Sequence, residues 1–194
     1  MKEPENIKDM ILLTLEGKHD AFFDIYNATV NDVAKIVHNL IYDKSQKDDI
    51  IQDIYIEMYK ALSKFKIDQP FTPWLIGIVV RQTKSHLRKN WLLFRLKNKQ
   101  MEQADQESQP DFSGKLVDQL DNRELLQSIH GLSYKLKTVI VLRYLSDYSQ
   151  EEIAQILNIP IGTVRSRISY ALKVLRTSIK KEHMSQMEVE RYEF

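Results

Sequence analysis

One stretch of the chain combines residue types that could bind nucleic acid. Gly162 to Arg176 reads GTVRSRISYALKVLR and holds four basic residues and no acid. Arginine can donate two parallel hydrogen bonds to a guanine edge, and serine and threonine reach bases or phosphates. Apolar residues recur through this stretch at helical spacing, so the basic residues occupy the other side of a helix. Either this face binds DNA or it is a solvated face of an amphipathic helix.

The residues before this stretch predict how it is held. Ser149 and Glu152 have the spacing of a capping box that begins a short helix. Asn158 suits the left-handed backbone of a turn, and Pro160 marks the start of a longer, basic helix. This is the helix-turn-helix pattern, in which the second helix enters the major groove. The residues expected to contact DNA are Thr163, Arg165, Ser166, Arg167, Ser169, Tyr170 and Lys173.

A second basic segment lies in the first half of the chain. Arg81 to Gln100 holds seven Lys or Arg and no acid. It continues a helix that we expect to begin with Thr72 as N-cap and Pro73 as first residue. Basic residues with aromatics nearby suit a surface that follows phosphates and stacks unpaired bases, although the two tryptophans could instead anchor the core. The candidate contacts are Trp74, Arg81, Lys84, Arg88 and Lys89.

The segment Asp48 to Leu62 carries the third pattern. It reads DDIIQDIYIEMYKAL, and an apolar ladder that includes Ile54 and Met58 predicts its buried face. The opposite face is acidic and contains one isoleucine, which is typical of a partner-binding surface, although an ordinary solvated helix has the same appearance. The residues of this outward stripe are Asp49, Gln52, Asp53 and Ile56.

Composition excludes several classes of protein. The 194 residues are 43% hydrophobic and 28% charged, which is typical of a folded chain. Because cysteine is absent, disulfides and thiolate metal sites are excluded, and the five histidines are too scattered to predict a metal site or cofactor. The longest early apolar run is far shorter than the roughly 20 residues that span a bilayer. With no signal-peptide pattern at the start, we expect a cytoplasmic protein without membrane insertion.

The long apolar patterns are all helical, and they fall into two sets. Residues 97–117, between the sets, are rich in Gln, Asp, Glu and Ser and have the composition of a linker. The sequence therefore predicts an all-α protein with two small helical domains, 1–96 and 118–181, joined by a flexible acidic linker. The second domain contains the helix-turn-helix, and residues 182–194 form a tail.

Together these segments resemble the extracytoplasmic-function group of bacterial sigma factors, the promoter-recognition subunits of RNA polymerase. Asp49 to Tyr55 (DIIQDIY) is similar to the group's core-binding segment, DLVQEVF. Pro70 to Leu75 (PFTPWL), with Leu87-Arg88-Lys89 downstream, resembles its helix for the −10 promoter element. Pro160 to Arg167 (PIGTVRSR) matches its −35 helix pattern, PxGTVRSR. The resemblance covers roughly Ala21 to Lys181.

The resemblance implies a role for each segment. The acidic stripe would bind core RNA polymerase, the helix after Trp74 would recognise and melt the −10 element, and the helix-turn-helix would read the −35 element of promoter DNA. An anti-sigma factor would hold the protein inactive. The group often has Asn and Asp where this chain has Arg81 and Ser85, and a bulky or basic pair where it has Ser169 and Tyr170, so the promoter sequence cannot be assigned.

Two other functions remain open on the sequence. A helix-turn-helix regulator that does not join polymerase would explain Ser149 to Arg176 but leaves the helix at Asp48 without a role. A metal-dependent nuclease would need the carboxylates of Asp48, Asp49 and Asp53. No phosphate-binding loop, nucleophile motif or ligand set accompanies them, so we expect a protein that is not an enzyme.

Overall fold

The computed structural model of the protein describes residues 6–101 and 120–192. These ranges contain α-helices and no strand, which confirms the predicted all-α fold. The helices are α1 Ile7–Leu15, α2 His19–Leu40, α3 Lys47–Leu62, α4 Phe71–Met101, α5 Leu120–Gly131, α6 Tyr134–Ile140, α7 Gln150–Leu157 and α8 Ile161–Tyr192. A 3₁₀ turn, Lys44–Gln46, precedes α3, and a π-helical turn, Val141–Leu145, continues α6.

The ends of two helices differ from the sequence pattern. The predicted linker begins at residue 97, but α4 continues through Met101, and residues 102–119 lie outside the described part of the chain. Similarly, α8 runs through Tyr192, although its apolar pattern ends near Lys181. Polar residues of high helix propensity extend a helix beyond its packed face, so periodicity alone underestimates its length.

The first half packs α1 to α4 around one apolar core. Its fully buried side chains come from the inward faces of α2, α3 and α4, with Ile7 and Ile11 added by α1. Inside this core the Tyr55 hydroxyl lies 2.8 Å from the Thr29 hydroxyl, which donates to the Ile25 carbonyl at 2.7 Å. This chain of hydrogen bonds satisfies the buried polar atoms that join α2 to α3.

The prediction that Thr72 caps α4 is wrong. The helix begins at Phe71, so Thr72 and Pro73 are its second and third residues. Thr72 is buried, and its hydroxyl has no hydrogen-bond partner among the described residues. Pro73 is tolerated there because the first N–H groups of a helix have no intrahelical acceptor.

The second half confirms the predicted helix-turn-helix. The backbone N–H of Ser149 donates to the Glu152 carboxylate at 2.7 Å, and the backbone N–H of Glu152 donates to the Ser149 hydroxyl at 3.1 Å. Asn158 ends α7 in the left-handed region at φ 49°. Helix α8 then packs through a buried stripe that includes Val164, Ile168 and Leu175. The local sequence therefore specifies both the start of α7 and its turn into α8.

The two halves pack against each other. The Tyr134 hydroxyl of α6 lies 2.6 Å from the Thr83 hydroxyl of α4 and donates to the Val80 carbonyl at 2.7 Å. Helix α7 approaches α4 so closely that a Cβ at Gly77 would lie 3.2 Å from the Ile156 carbonyl oxygen. Glycine at this position lets the two helix backbones meet. The contact surface consists of α2 and α4 on one side and of α6, its π-helical continuation and α7 on the other.

Candidate partner and DNA interfaces

An apolar groove of about 690 Å³ lies between α2 and α3. Its floor is the buried Tyr55 ring, and burial raises the pKa of this phenol to about 12, so it stays neutral. Ile56 and Tyr59 stand on the rim and are 43% and 45% exposed. The lining residues are Phe22, Tyr26, Val30, Ala34, Asp48, Ile51, Gln52, Tyr55, Ile56, Tyr59 and Lys60. An open apolar groove that is also lined by the exposed polar residues Asp48, Gln52 and Lys60 has the composition of a protein-docking site.

The four residues of the predicted acidic stripe are all exposed, but the structure divides them. Gln52 and Ile56 line the groove. Asp53 instead lies in a small cleft between α3 and α4, which Lys89 also lines. Asp49 lines neither cavity. The predicted face is therefore a groove wall together with two carboxylates beside it.

Sequence reasoning missed the α2 wall of the groove. Phe22, Tyr26 and Val30 recur every four residues, and the Phe22 ring meets the Tyr59 ring edge-on at a centroid distance of 5.1 Å. The sequence pattern shows that these apolar residues recur at helical spacing but not which of them the core covers. The number of apolar residues on α2 was the available signal. A helix needs one apolar stripe to face the core, and α2 already has a fully buried stripe through Ile25 and Val33. A second apolar stripe on the same helix therefore indicates a further contact surface.

Three aromatic side chains join the start of α4 to the loop before it. The Trp74 ring lies 4.7 Å from the Phe65 ring and 5.6 Å from the Phe71 ring, measured between centroids. Phe71 is fully buried, and Trp74 is half-buried against the core. Trp74 therefore anchors the helix and presents one part of its ring near the surface.

Farther along α4, the predicted cations lie on the surface. Arg81, Lys84, Arg88 and Lys89 are all exposed. None of them forms an ion pair with a described residue. Unpaired, solvated cations along one helix provide positive potential for a polyanion without fixing a geometry of contact.

Helix α8 presents a second exposed basic surface. Arg165, Ser166, Ser169, Tyr170 and Lys173 are exposed, and Tyr170 is 60% exposed. The structure therefore brings these predicted residues together on the side of α8 that faces away from its buried stripe. Thr163 and Arg167 are half-buried at the edge of this surface. Arg167 lies on nearly the opposite side of the helix from Arg165, about 160° away at 3.6 residues per turn.

One arginine of α8 is held by a neighbouring helix. The Arg165 Nε donates a hydrogen bond of 3.1 Å to the Oε1 of Gln150, the first residue of α7. The capping box at Ser149 fixes the position of Gln150 in turn. Because Nε is engaged, the two terminal nitrogens of the guanidinium remain for a planar contact with a guanine edge. Sequence reasoning did not find Gln150, because the contact spans fifteen residues.

The described residues contain no group of three or more His, Asp or Glu side chains placed to hold a metal ion. No described helix is long and apolar enough to cross a membrane.

The fold and its surfaces define a transcription factor of the sigma-70 type. Residues 25–92 match the sigma-70 region 2 family, and residues 128–177 match the sigma-70 region 4 family. The first range contains most of the α2–α3 groove and the cations of α4 from Arg81 to Lys89, and the second contains the helix-turn-helix.

Two relatives identify the group within this class to which the chain belongs. The chain is 30% identical over 185 residues to the ECF RNA polymerase sigma factor SigW of Bacillus subtilis strain 168, covering 90% of this chain and 97% of that protein. It is 28% identical over 190 residues to the ECF RNA polymerase sigma-E factor of Escherichia coli strain K12, covering 91% and 96%. The chain belongs to the ECF sigma factors of RNA polymerase.

Two solved structures share the fold. CnrH, solved with the cytosolic domain of CnrY, superposes with a TM-score of 0.66 at 19% identity, covering 91% of this chain and 99% of that one. The sigma factor RpoE of Bartonella quintana, solved with the anti-sigma factor NepR, gives a TM-score of 0.62 at 22% identity, covering 82% and 96%.

Proposed function

We infer that this sigma factor binds core RNA polymerase through the α2–α3 groove and carries it to promoters that α8 and α4 recognise. The groove is the observation that supports this function most. A regulator that acts alone on DNA needs a helix-turn-helix but no second docking site, whereas a sigma factor needs both. The protein acts by binding and positioning rather than by catalysing a reaction, and it works in the cytoplasm, where polymerase and DNA are found.

The polymerase contact combines an apolar and an electrostatic part. Ile56 and the aromatic rings of α2 would receive an apolar ridge of the partner, since exposed apolar surface in a groove gains most from being covered. Asp49 and Asp53, beside the groove, would meet basic residues of polymerase and mainly speed the encounter.

A pull-down of core polymerase with variants tests this contact. We expect Ile56→Lys to reduce capture strongly and Asp49→Lys/Asp53→Lys to reduce it in a salt-dependent manner. All three side chains are exposed, so folding should survive. Leu12→Lys is the matched control for Ile56, since Leu12 is a 51% exposed apolar residue on α1. Asp9→Lys/Glu16→Lys reproduces the charge change elsewhere. Full capture by both variants would mean that polymerase binds another face of the protein, whereas no capture by the wild-type protein would leave the regulator that does not join polymerase.

For the −35 element, we assign base readout to Arg165 and backbone contacts to Lys173 and Arg167. The hydrogen bond that Arg165 Nε donates to Gln150 positions the guanidinium, whose planar fork matches a guanine edge. Lys173 is exposed on the same side of α8 but carries a point charge, which suits a phosphate. Thr163, Ser166, Ser169 and Tyr170 complete the surface that enters the groove.

For the −10 element, we assign phosphate contacts to Arg81, Lys84, Arg88 and Lys89, with Trp74 anchoring the start of the helix. Melting requires a few kcal/mol per unstacked base, which backbone contacts and stacking offset. The loop before α4 and its aromatic residues would hold the displaced base.

The regulator of this protein would be an anti-sigma factor. The sigma factor RpoE of Bartonella quintana, which shares this fold, has been solved with the anti-sigma factor NepR, and CnrH has been solved with the cytosolic domain of CnrY. A partner that covers both the α2–α3 groove and the outer face of α8 would block polymerase and DNA together. Because the chain has no cysteine, release cannot depend on oxidation of its own thiols.

A further inference from the structure

One face of α4 carries a line of residues that extends beyond the predicted −10 contacts. Arg81, Lys84, Arg88, Trp91 and Arg95 follow one another at alternating spacings of three and four residues, which places them on one side of the helix. All five are exposed. The line is about 21 Å long at 1.5 Å per residue. It consists of four cations and, near its end, one indole ring.

Trp91 is exposed, whereas a tryptophan that only stabilises the fold is usually buried. It is 55% exposed, and the Arg95 guanidinium carbon lies 4.5 Å from the centre of its ring. The other tryptophan, Trp74, packs against Phe65 and Phe71 at the start of the same helix. The contact with Arg95 orients the Trp91 ring on the surface through a cation–π interaction and leaves much of the indole open to a ligand.

The charge around Trp91 identifies the kind of occupant. From Arg81 to Gln100 the chain has seven Lys or Arg and no acid, so a polyanion is the complementary partner. A line of cations can follow one phosphodiester backbone, and an exposed indole can stack any unpaired base, whatever its identity.

We propose that Trp91, oriented by Arg95, is a stacking platform for an unpaired base of the promoter strand. It lies on α4 beyond Arg88 and more than four helical turns away from Trp74 in the Phe65–Trp74 aromatic cluster. This site rests on the proposed function of α4 in melting the −10 element and adds a second aromatic contact to it. The two aromatic sites would hold the melted strand at both ends of the line of cations.

Promoter forks with 2-aminopurine at successive positions of the melted strand test this proposal with the assembled holoenzyme. A stacked 2-aminopurine is quenched, so Trp91→Ala should raise its fluorescence several-fold at one or two adjacent positions, and Trp91→Phe should keep it low. Fork affinity should fall roughly 5- to 150-fold for Trp91→Ala without a change in salt slope. Arg95→Ala should instead lower the slope by about one unit.

Leu93→Ala is the matched control, because Leu93 is a 57% exposed apolar residue beside Trp91. It should leave 2-aminopurine quenched and fork affinity unchanged. The proposal is overturned if no 2-aminopurine position responds to Trp91→Ala, or if Leu93→Ala has the same effect. It is also overturned if the free protein binds phosphatidylglycerol vesicles through Trp91 and Leu93 alike, which would make this end of α4 a membrane-binding surface.

The failure of this inference can be told from that of the proposed function. Permanganate reactivity of the −10 segment reports melting in the Arg88→Ala/Lys89→Ala variant. Normal melting in this variant would refute the assignment of α4 to the −10 element. Impaired melting there, together with an unchanged 2-aminopurine signal in Trp91→Ala, would refute the stacking site alone.

Discussion

Helices α4 and α8 are both basic, but they hold their cations differently. On α8 the Arg165 Nε donates to Gln150 at 3.1 Å, and a buried stripe that includes Val164 fixes the helix against its neighbours. On α4 the cations form no ion pair with a described residue, and the exposed ring among them is Trp91. An arginine held in place suits a base edge, which has one geometry. Solvated cations suit phosphates, and an open indole suits any base. We therefore propose that α8 reads the sequence and α4 captures the strand.

The largest expected effect comes from breaking the support of α8. Val164 is fully buried, so Val164→Asp places an uncompensated carboxylate in the core and should cost about 3–5 kcal/mol of unfolding free energy. We expect loss of −35 recognition in footprints with retained capture of core polymerase. Leu75→Asp, at a fully buried position of α4, should abolish both −35 recognition and the capture of core polymerase. Loss of polymerase capture in Val164→Asp would mean that the two halves do not fold separately.

Arg165→Ala should produce the next largest effect. Removal of the positioned guanidinium should cost about 1–3 kcal/mol on the cognate −35 sequence and relax discrimination at one base position. Footprint titrations against single-base promoter variants measure both quantities. Lys173→Ala is the comparison, since it should weaken all sequences about equally. If Arg165→Ala weakened all sequences equally while Lys173→Ala changed base preference, the two assignments would be reversed.

Arg88→Ala/Lys89→Ala should change the salt dependence of open-complex formation more than its sequence preference. Loss of two phosphate contacts should lower the slope of log affinity against log salt by about 1.4–1.8 units. Measurements at several salt concentrations give this slope. Lys8→Ala/Lys35→Ala removes the same charge from exposed positions of α1 and α2. An equal change in that control would indicate a net-charge effect instead of a contact on α4.

The smallest expected effect is that of Gln150→Ala. The hydrogen bond to Arg165 is exposed, so its loss should cost about 0.5–1.5 kcal/mol. This cost should fall on discrimination at the base that Arg165 reads, with no change in salt slope. In a double-mutant cycle the effect should vanish when Arg165 is already alanine. Gln155→Ala, at an exposed position later in α7, serves as the control. Additive effects of Gln150→Ala and Arg165→Ala would refute the positioning role.

Local features of this fold could be predicted from the sequence. The capping box at Ser149 and the left-handed Asn158 form between residues that lie close together in the chain. The buried face of α8 likewise follows from apolar spacing. These features depend on a few neighbouring residues, so the sequence pattern specifies them directly.

Features that depend on distant contacts could not be predicted. The Tyr134–Thr83 hydrogen bond joins residues 51 positions apart, and no local pattern pairs them. Periodicity also identifies an apolar residue without showing what covers it. The half-buried Phe22 in the groove wall and the exposed Trp91 are therefore both compatible with a core position on the sequence alone. The N-terminus of α4 was misplaced because Thr72 and Pro73 fit a cap position as well as the first turn.

Promoter occupancy measured on two templates tests the division of work between α8 and α4 most directly. Holoenzymes with Arg165→Ala and with Arg88→Ala/Lys89→Ala are compared by footprint titration on a duplex promoter and on the same promoter with the −10 segment mismatched. We predict that pre-melting restores the Arg88/Lys89 variant towards wild-type occupancy, because the cost of unstacking has been removed, and leaves the defect of Arg165→Ala unchanged. If pre-melting rescued both variants equally, or rescued Arg165→Ala alone, the assignment of duplex reading to α8 and strand capture to α4 would be contradicted.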